Sequence, residues 1–449
     1  MRLVQYLFAV SILFLSTLSA TAQQTNDSPD YGQLLEAYEE VHGFSGTVKV
    51  VLDDEEVFQQ SYGLANRSFE IPNTPTTRNS INSISKTFTA VAVLKMVQAG
   101  KIDLDIPIGA YLSGLTAPWK DQITVHQLLS HTSGLPREAG LNAWEELFFE
   151  EQVRKVNELE LLFEPGEEYQ YSNAGFILLG AILEAVGEKS YSELITENII
   201  EPLGLENTGV YQGRTVVAQQ AVPYTLGVHG IEEAQRTKII GPTAGGGLYS
   251  TPDDLYRFML ALEKGELLPD TLQAKLFEAH VQTSENEAEG YAFSIKQFGD
   301  DTIRMAAGSG YGTKSVMIRE PEPGLFIAVV SNWGNTPVLD ILRDLYLSSL
   351  GQDVTPPESK QLANPAEYKE HLGLYQFDPE QMKTYLQMES SQVRLRNVDG
   401  KLFMNEEVLA KHEDGTLGLA YTRELGIHFE ANKMILIING NELVGEKVE

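Results

Sequence analysis

The chain has 449 residues, no cysteine and a formal charge of −30 carried by acids spread along its length rather than run into blocks. That balance argues against nucleic acid as a partner, because phosphate binding needs a basic surface, and the missing thiols exclude disulfides, thiolate nucleophiles and Cys-ligated metals. With 42 % apolar residues the chain is a globular one, long enough for two or more domains that rest on their cores alone.

The first segment reads MRLVQYLFAVSILFLSTLSATAQQ. Arg2 precedes an apolar run, and Ala20-Thr21-Ala22 supplies small residues at cleavage spacing, so residues 1–22 are expected to be a secretory signal peptide. The run is too short, and lacks the basic flank, for a transmembrane anchor. The expected product is secreted, in a bacterium to the periplasm, with the eukaryotic secretory route as the alternative and no integral span after cleavage.

Residues 43–63, GFSGTVKVVLDDEEVFQQSYG, alternate apolar and polar and predict two antiparallel strands about the Asp-Asp-Glu-Glu turn. A helix is expected from about Ser83 to Ala99, with Gly100 at its C-terminal cap. TVHQLLS (124–130) opens another, which Gly134 and Pro136 break. Residues 174–187 are apolar at helical spacing, and Pro252 followed by Asp253 and Asp254 suits a further helix start. SVMIRE and LFIAVVSNW read as strands. GQDVTPPESKQLANP (351–365) has the paired prolines and polar residues of a linker. Beyond it, short alternating segments separated by Asp399-Gly400, Asp414-Gly415 and Asn439-Gly440 read as successive hairpins. The expected organisation is therefore a large α/β (α+β) domain over 30–350, the linker, and a small β-barrel or sandwich over 366–449.

Chemistry enters with Ser83-Ile84-Ser85-Lys86. A serine hydroxyl is a poor nucleophile unless a base takes its proton. Three residues along a helix returns to the same face, so Ser83 and Lys86 can point into one cleft. The helix N-terminus favours the negative charge that develops there, and a lysine serves as base when burial or a neighbouring cation lowers its pKa. Such a tetrad also arises by chance, and Ser83 or Ser85 at a helix start can be a cap. The second cluster is Tyr171-Ser172-Asn173 at the mouth of the next apolar helix. A phenol beside an ammonium can ionise and accept the serine's proton, and the Asn173 amide can hydrogen-bond Lys86 or a substrate.

At these residues the chain resembles the β-lactamase-related serine hydrolases, which include class C β-lactamases, penicillin-binding carboxypeptidases, D-aminopeptidases and family VIII esterases. GKIDLDIPIGAYL (100–112), ITVHQLLSHTSGLP (123–136), PLGLENTGV (202–210) and GGGLYSTPDDLYRFM (245–259) fall in the family's order, so the resemblance spans roughly 30–350. It implies a β-lactamase/transpeptidase-like fold with a helical lobe beside an antiparallel sheet. It also implies Ser83 as the acylated nucleophile, Lys86 and Tyr171 sharing the base role, and Asn173 positioning Lys86 and the substrate. The C-terminal segment around EYKEHLGLYQF is similar to the small β-barrel domains appended to some members.

The family's third motif, Lys-Thr-Gly or His-x-Gly, aligns with Ala306-Ala307-Gly308. Gly308 is kept, but Ala306 stands where a cation or imidazole contacts the substrate carboxylate and tunes the tyrosine. The resemblance implies an oxyanion hole from the Ser83 and Ser309 amides, which needs no particular side chain. Lys314 offers itself as a replacement charge. His126 and His131 could suggest a Ser–His–Asp triad, but no Gly-x-Ser-x-Gly elbow accompanies them, and the family's equivalent histidine is structural. The eight histidines form no compact ligand set, so neither metal nor cofactor is expected.

The expectation is an exported serine hydrolase acting on esters or small amides and peptides, the substrate being a small molecule or peptide, cell-wall-derived ones included. Alternatives are a D-alanyl-D-alanine carboxypeptidase or β-lactamase-type penicillin-binding protein, and a non-catalytic binding protein that keeps the fold.

Overall fold

The computed structural model describes residues 30–449 apart from 142–147, 213–214, 228–229, 235–243, 299–300, 358–360, 387, 389, 406, 413–414, 421–424 and 439. The expected signal peptide, Asp414 and Asn439 lie outside the described residues. Among the described residues no helix is long and apolar enough to cross a membrane.

One antiparallel sheet organises the larger part of the chain. Its strands are β1 (Gly46–Leu52), β2 (Glu55–Tyr62), β3 (Val281–Ser284), β4 (Glu287–Glu289), β5 (Ser294–Phe298), β6 (Asp301–Gly310), β7 (Thr313–Glu320) and β8 (Leu325–Ser331). They run in the order β3-β4-β5-β6-β7-β8-β1-β2, so the first strand pairs with the last, Gly46 opposite Ser331. The β1–β2 loop is tighter than the four acids suggested. Asp53 and Asp54 take φ of 51° and 60°, as a two-residue primed turn requires, and Glu55 already begins β2.

Alternation along β6 to β8 feeds two cores. Ala306, Met317, Ala328 and Val330 face the helical lobe. Ile303, Met305, Val316, Ile318, Ile327 and Val329 face α1 (Tyr31–His42) and the helix Val338–Ser349 on the opposite side. The lobe is built around α2 (Ser85–Gln98), which is apolar nearly all round and buried accordingly. Phe88 of α2 stacks on Phe258 at 4.0 Å, joining it to the helix Pro252–Glu263.

Strands β9 (Gly373–Gln376), β10 (Gln392–Val398), β11 (Lys401–Met404), β12 (Glu407–Lys411), β13 (Leu417–Leu419), β14 (Leu425–Glu430), β15 (Lys433–Ile438) and β16 (Asn441–Lys447) form an antiparallel meander that closes through β9–β16. Closure removes the edges on which unwanted strands add. Tyr375, Leu395, Leu402, Met404 and Leu436 fill the interior, with Met382 and Leu386 from the helix Pro379–Leu386. Asp399 and Gly400, at φ of 49° and 78°, make the β10–β11 turn. Two parts of the expected linker pack rather than hang free: Val354 lies against the core under α1, and Gln361–Leu362 pairs with β12. The barrel's Phe403, Val408 and Ala410 meet Leu226 on the hairpin Tyr224–Gly227/Gly230–Glu233.

Candidate active site

Ser83 sits in a 3₁₀ turn, Asn82–Ile84, that leads into α2. Asn82 precedes it at φ 47°, held from both sides: Ser80 Oγ donates to its Oδ1 at 3.1 Å, and its Nδ2 donates to Thr313 Oγ1 at 3.1 Å. Asparagine tolerates this left-handed conformation better than most residues. The turn is pinned to the sheet by Ser315 Oγ, which donates to the Ile81 carbonyl at 2.9 Å. Gly308 lies alongside. A Cβ there would stand 2.2 Å from Ile81 O and 2.9 Å from Ser83 N, so only glycine allows β6 and the Ser83 turn to come this close.

Lys86 is 2 % exposed. Its Nζ donates to Ser83 Oγ at 3.1 Å, Asn173 Oδ1 at 2.8 Å and the Gly245 carbonyl at 2.6 Å, which uses all three ammonium protons. Burial pushes its pKa below the usual lysine value. The neighbouring Tyr171 opposes that shift, and the Arg137 charge reinforces it. Lys86 Nζ lies 4.9 Å from the centre of the Tyr171 ring.

Other side chains of the same helix hold the carbonyl wall. Thr89 Oγ1 donates to Ala244 O at 2.6 Å, and Ser85 Oγ accepts from Leu248 N at 3.0 Å. Ser85 therefore anchors the segment that carries Gly245.

Tyr171-Ser172-Asn173 is fixed by the turn that follows His131. Ser172 N–H donates to His131 Nδ1 at 3.0 Å, Ser172 Oγ to Pro136 O at 2.8 Å, and Asn173 N–H to Arg137 O at 2.8 Å. Ser172 also caps the helix Asn173–Gly187 by accepting from Gly175 N at 3.0 Å. His131 stacks on Tyr171 with ring centres 4.5 Å apart. It is buried, and desolvation with the nearby Lys86 and Arg137 charges holds its pKa well below the ordinary histidine value. A neutral ring accepting at Nδ1 orients the motif and takes no part in a triad.

Sequence reasoning did not find Arg137 and Glu138. Glu138 Oε1 accepts from Asn173 Nδ2 at 2.8 Å, which turns the amide oxygen towards Lys86. Arg137 Cζ lies 4.8 Å from the Tyr171 ring centre. Gly245 was legible only as part of a resembling stretch.

Ser83, Lys86, Tyr171, Asn173 and Gly308 thus converge. Ala306 is 7 % exposed and packs into the helical-lobe core. Ser309 pairs with Lys314, whose Nζ donates to Ser309 Oγ at 2.7 Å. Lys314 does not stand in for the missing charge. It is one residue out of step with Ser315 and Met317, which face Gly308 and Ala306, so its side chain emerges on the other face of the sheet. Among the described residues no group of three or more His, Asp or Glu is placed to hold a metal.

This arrangement sets a buried amine of lowered pKa where it can take the proton of the Ser83 hydroxyl. The Beta-lactamase family profile matches residues 32–351. Penicillin-binding protein 4* of Bacillus subtilis (strain 168) is 26 % identical over 374 residues, covering 76 % of this chain and 81 % of that protein. The penicillin-binding protein from Bacillus halodurans superposes with TM-score 0.64 at 28 % identity, over 71 % of this chain and 99 % of its own. The D-amino acid amidase from Ochrobactrum anthropi SV3 does so with TM-score 0.58 at 25 % identity, over 67 % and 91 %. Fold, motif order and relatives agree: the chain belongs to the Beta-lactamase family of serine hydrolases, and it is an enzyme.

Proposed function

We propose that the protein is an exported hydrolase that forms an acyl-enzyme on Ser83 and acts on esters or on small amide and peptide substrates, including cell-wall-derived ones. The observation that carries this reading is the buried Lys86 amine, 3.1 Å from Ser83 Oγ, with a proton affinity lowered by burial. Ser83 Oγ attacks the carbonyl carbon while its proton passes to the Lys86–Tyr171 pair. The oxyanion is held by the Ser83 and Ser309 amides, beside Gly308. Collapse of the tetrahedral species expels an alcohol or amine, which takes up that proton. Water then attacks the acyl-enzyme by the same route in reverse and frees Ser83. Asn173 holds Lys86 and faces the substrate.

Ala306 supports uncharged ester and amide substrates over those recognised by a carboxylate, since a methyl group offers a carboxylate nothing. The amidase relative points the same way. A D-alanyl-D-alanine carboxypeptidase or β-lactamase-type penicillin-binding protein is the second reading, favoured by the relatives that carry the penicillin-binding name. A fluorophosphonate and a fluorescent penicillin separate the two on wild type and Ser83→Ala. The expected outcome is labelling by the first only, abolished in Ser83→Ala. Labelling that survives in Ser83→Ala refutes the proposal, and strong penicillin labelling favours the second reading. A panel of esters, D-amino-acid amides and a cephalosporin then assigns the substrate class.

A further inference from the structure

We infer that Arg137 supplies the positive charge that β6 lacks at Ala306, and that it does so by stabilising the Tyr171 phenolate rather than by holding a substrate carboxylate. The inference rests on Ser83 being the nucleophile activated by Lys86 and Tyr171.

Three placements argue for it. The expected position is filled: Ala306 is a buried methyl packed in the helical-lobe core. The nearest cation on the paired strand, Lys314, leaves the sheet on the opposite face and donates to Ser309 Oγ. Arg137, in contrast, sets its guanidinium carbon 4.8 Å from the centre of the Tyr171 ring, within the range where a cation is attracted to an aromatic face.

That placement is built, not incidental. The Arg137 carbonyl accepts Asn173 N–H, the Pro136 carbonyl accepts Ser172 Oγ, and His131 Nδ1 accepts Ser172 N–H. The arginine and the tyrosine are therefore carried by two segments joined by three hydrogen bonds. The Arg137 side chain is 19 % exposed, so solvent screens its charge only partly. Its Nε lies 3.7 Å from Glu138 Oε1, while that same carboxylate oxygen also accepts from Asn173 Nδ2.

Among the described residues, the charged and titratable groups near Tyr171 include Lys86 from α2, the stacked His131, Arg137 and Glu138 from the following turn, and Tyr169 two residues before. Burial opposes ionisation of Tyr169 and protonation of His131, so neither carries charge near neutral pH. Arg137 brings a guanidinium, a delocalised cation. It is thus a fixed cation beside a base pair that must share one mobile proton. A fixed cation favours the phenolate and disfavours the Lys86 ammonium, and both changes enlarge the fraction of enzyme able to accept the Ser83 proton. Arg137 is a positioning and tuning residue, acting through Tyr171.

The test uses the whole chain and an uncharged, substrate-independent probe. The second-order rate of Ser83 labelling by a fluorophosphonate is followed from acid to alkaline pH in wild type, Arg137→Met and Arg137→Lys, with Ser83→Ala as blank and thermal melting to confirm folding. The expected result is that Arg137→Met moves the acid limb to higher pH by roughly one unit, a loss of about tenfold below the limb, while Arg137→Lys keeps most of the wild-type profile. An unshifted limb in a folded Arg137→Met that still labels at Ser83 overturns the inference and leaves the proposed nucleophile intact. So does an unshifted limb combined with a raised KM confined to carboxylate-bearing esters, which would make Arg137 a substrate anchor. Labelling of wild type that persists in Ser83→Ala brings down the nucleophile and this inference together.

Discussion

A methyl group at position 308 would sit 2.2 Å from the Ile81 carbonyl oxygen, a contact that backbone cannot yield to. Gly308→Ala is therefore expected to push the Ser83 turn away from β6, at a cost of about 1–3 kcal/mol, and to slow Ser83 labelling at least tenfold. Wild-type labelling in a folded Gly308→Ala would mean that the two backbones need not adjoin. Residue by residue, what was readable beforehand follows the reach of local rules. Ser83 and Lys86 are three apart on one helical face, and Tyr171 and Asn173 flank a helix cap, so their chemistry shows in the string. Arg137 and Glu138 lie in an irregular loop with no periodicity, and only tertiary packing brings them to Tyr171 and Asn173. Lys314 misleads for a different reason. Its face depends on the β6–β7 register, Ser309 opposite Lys314, and the composition of the hairpin does not reveal that register.

At the scale of elements, the first turns of α2 do two jobs on adjoining faces. Lys86 points at Ser83 Oγ, while Ser85 and Thr89 hold the segment whose Gly245 carbonyl receives Lys86. The helix itself is evident from its apolar run; the 3₁₀ entry and the φ of Asn82 are not, because they are imposed by Thr313 on a strand 231 residues away. Strand β4 carries a titration of its own. Burial pushes the Glu289 carboxyl up to about 8 from an ordinary 4.5, although Ser294 Oγ donates to it and Lys296 is near. Between those values the folded state binds a proton that the unfolded chain has released, so stability falls as pH rises from 4.5 towards 8. Thermal melting in that window is expected to show the decline in wild type and a flatter curve in Glu289→Gln. An equally steep decline in the variant would assign the slope to other groups.

At the scale of the whole molecule, a hairpin links the eight-stranded sheet to the closed barrel. Leu226 meets Phe403, Val408, Ala410 and Ala420, and Tyr224 at the hairpin's base donates its N–H to the Asn332 carbonyl at 2.9 Å, just past β8. The barrel's hairpins were foreseeable from their turn dipeptides, but the surface that docks on Leu226 was not, since outward apolar residues on a strand look the same whatever covers them. Leu226→Asp places a carboxylate in that contact and is expected to lower the melting temperature by a few degrees, roughly 1–3 kcal/mol. Hydrogen exchange should rise in residues 224–227 while fluorophosphonate labelling of Ser83 persists. A loss of labelling as large as in Ser83→Ala would instead make the barrel part of the catalytic apparatus.

The pairing of β1 with β8 has a consequence for how the protein comes into being. A ribosome delivers Ser83 early and the glycine wall beside it more than two hundred residues later, and the sheet that holds both cannot close until Ser331 has arrived to meet Gly46. A chain that stops short of Ser331 therefore lacks the pairing that closes the sheet. The Ser83 turn and the glycine wall beside it can be locked together only after Ser331 has been made, so this region must stay open through a long stretch of synthesis.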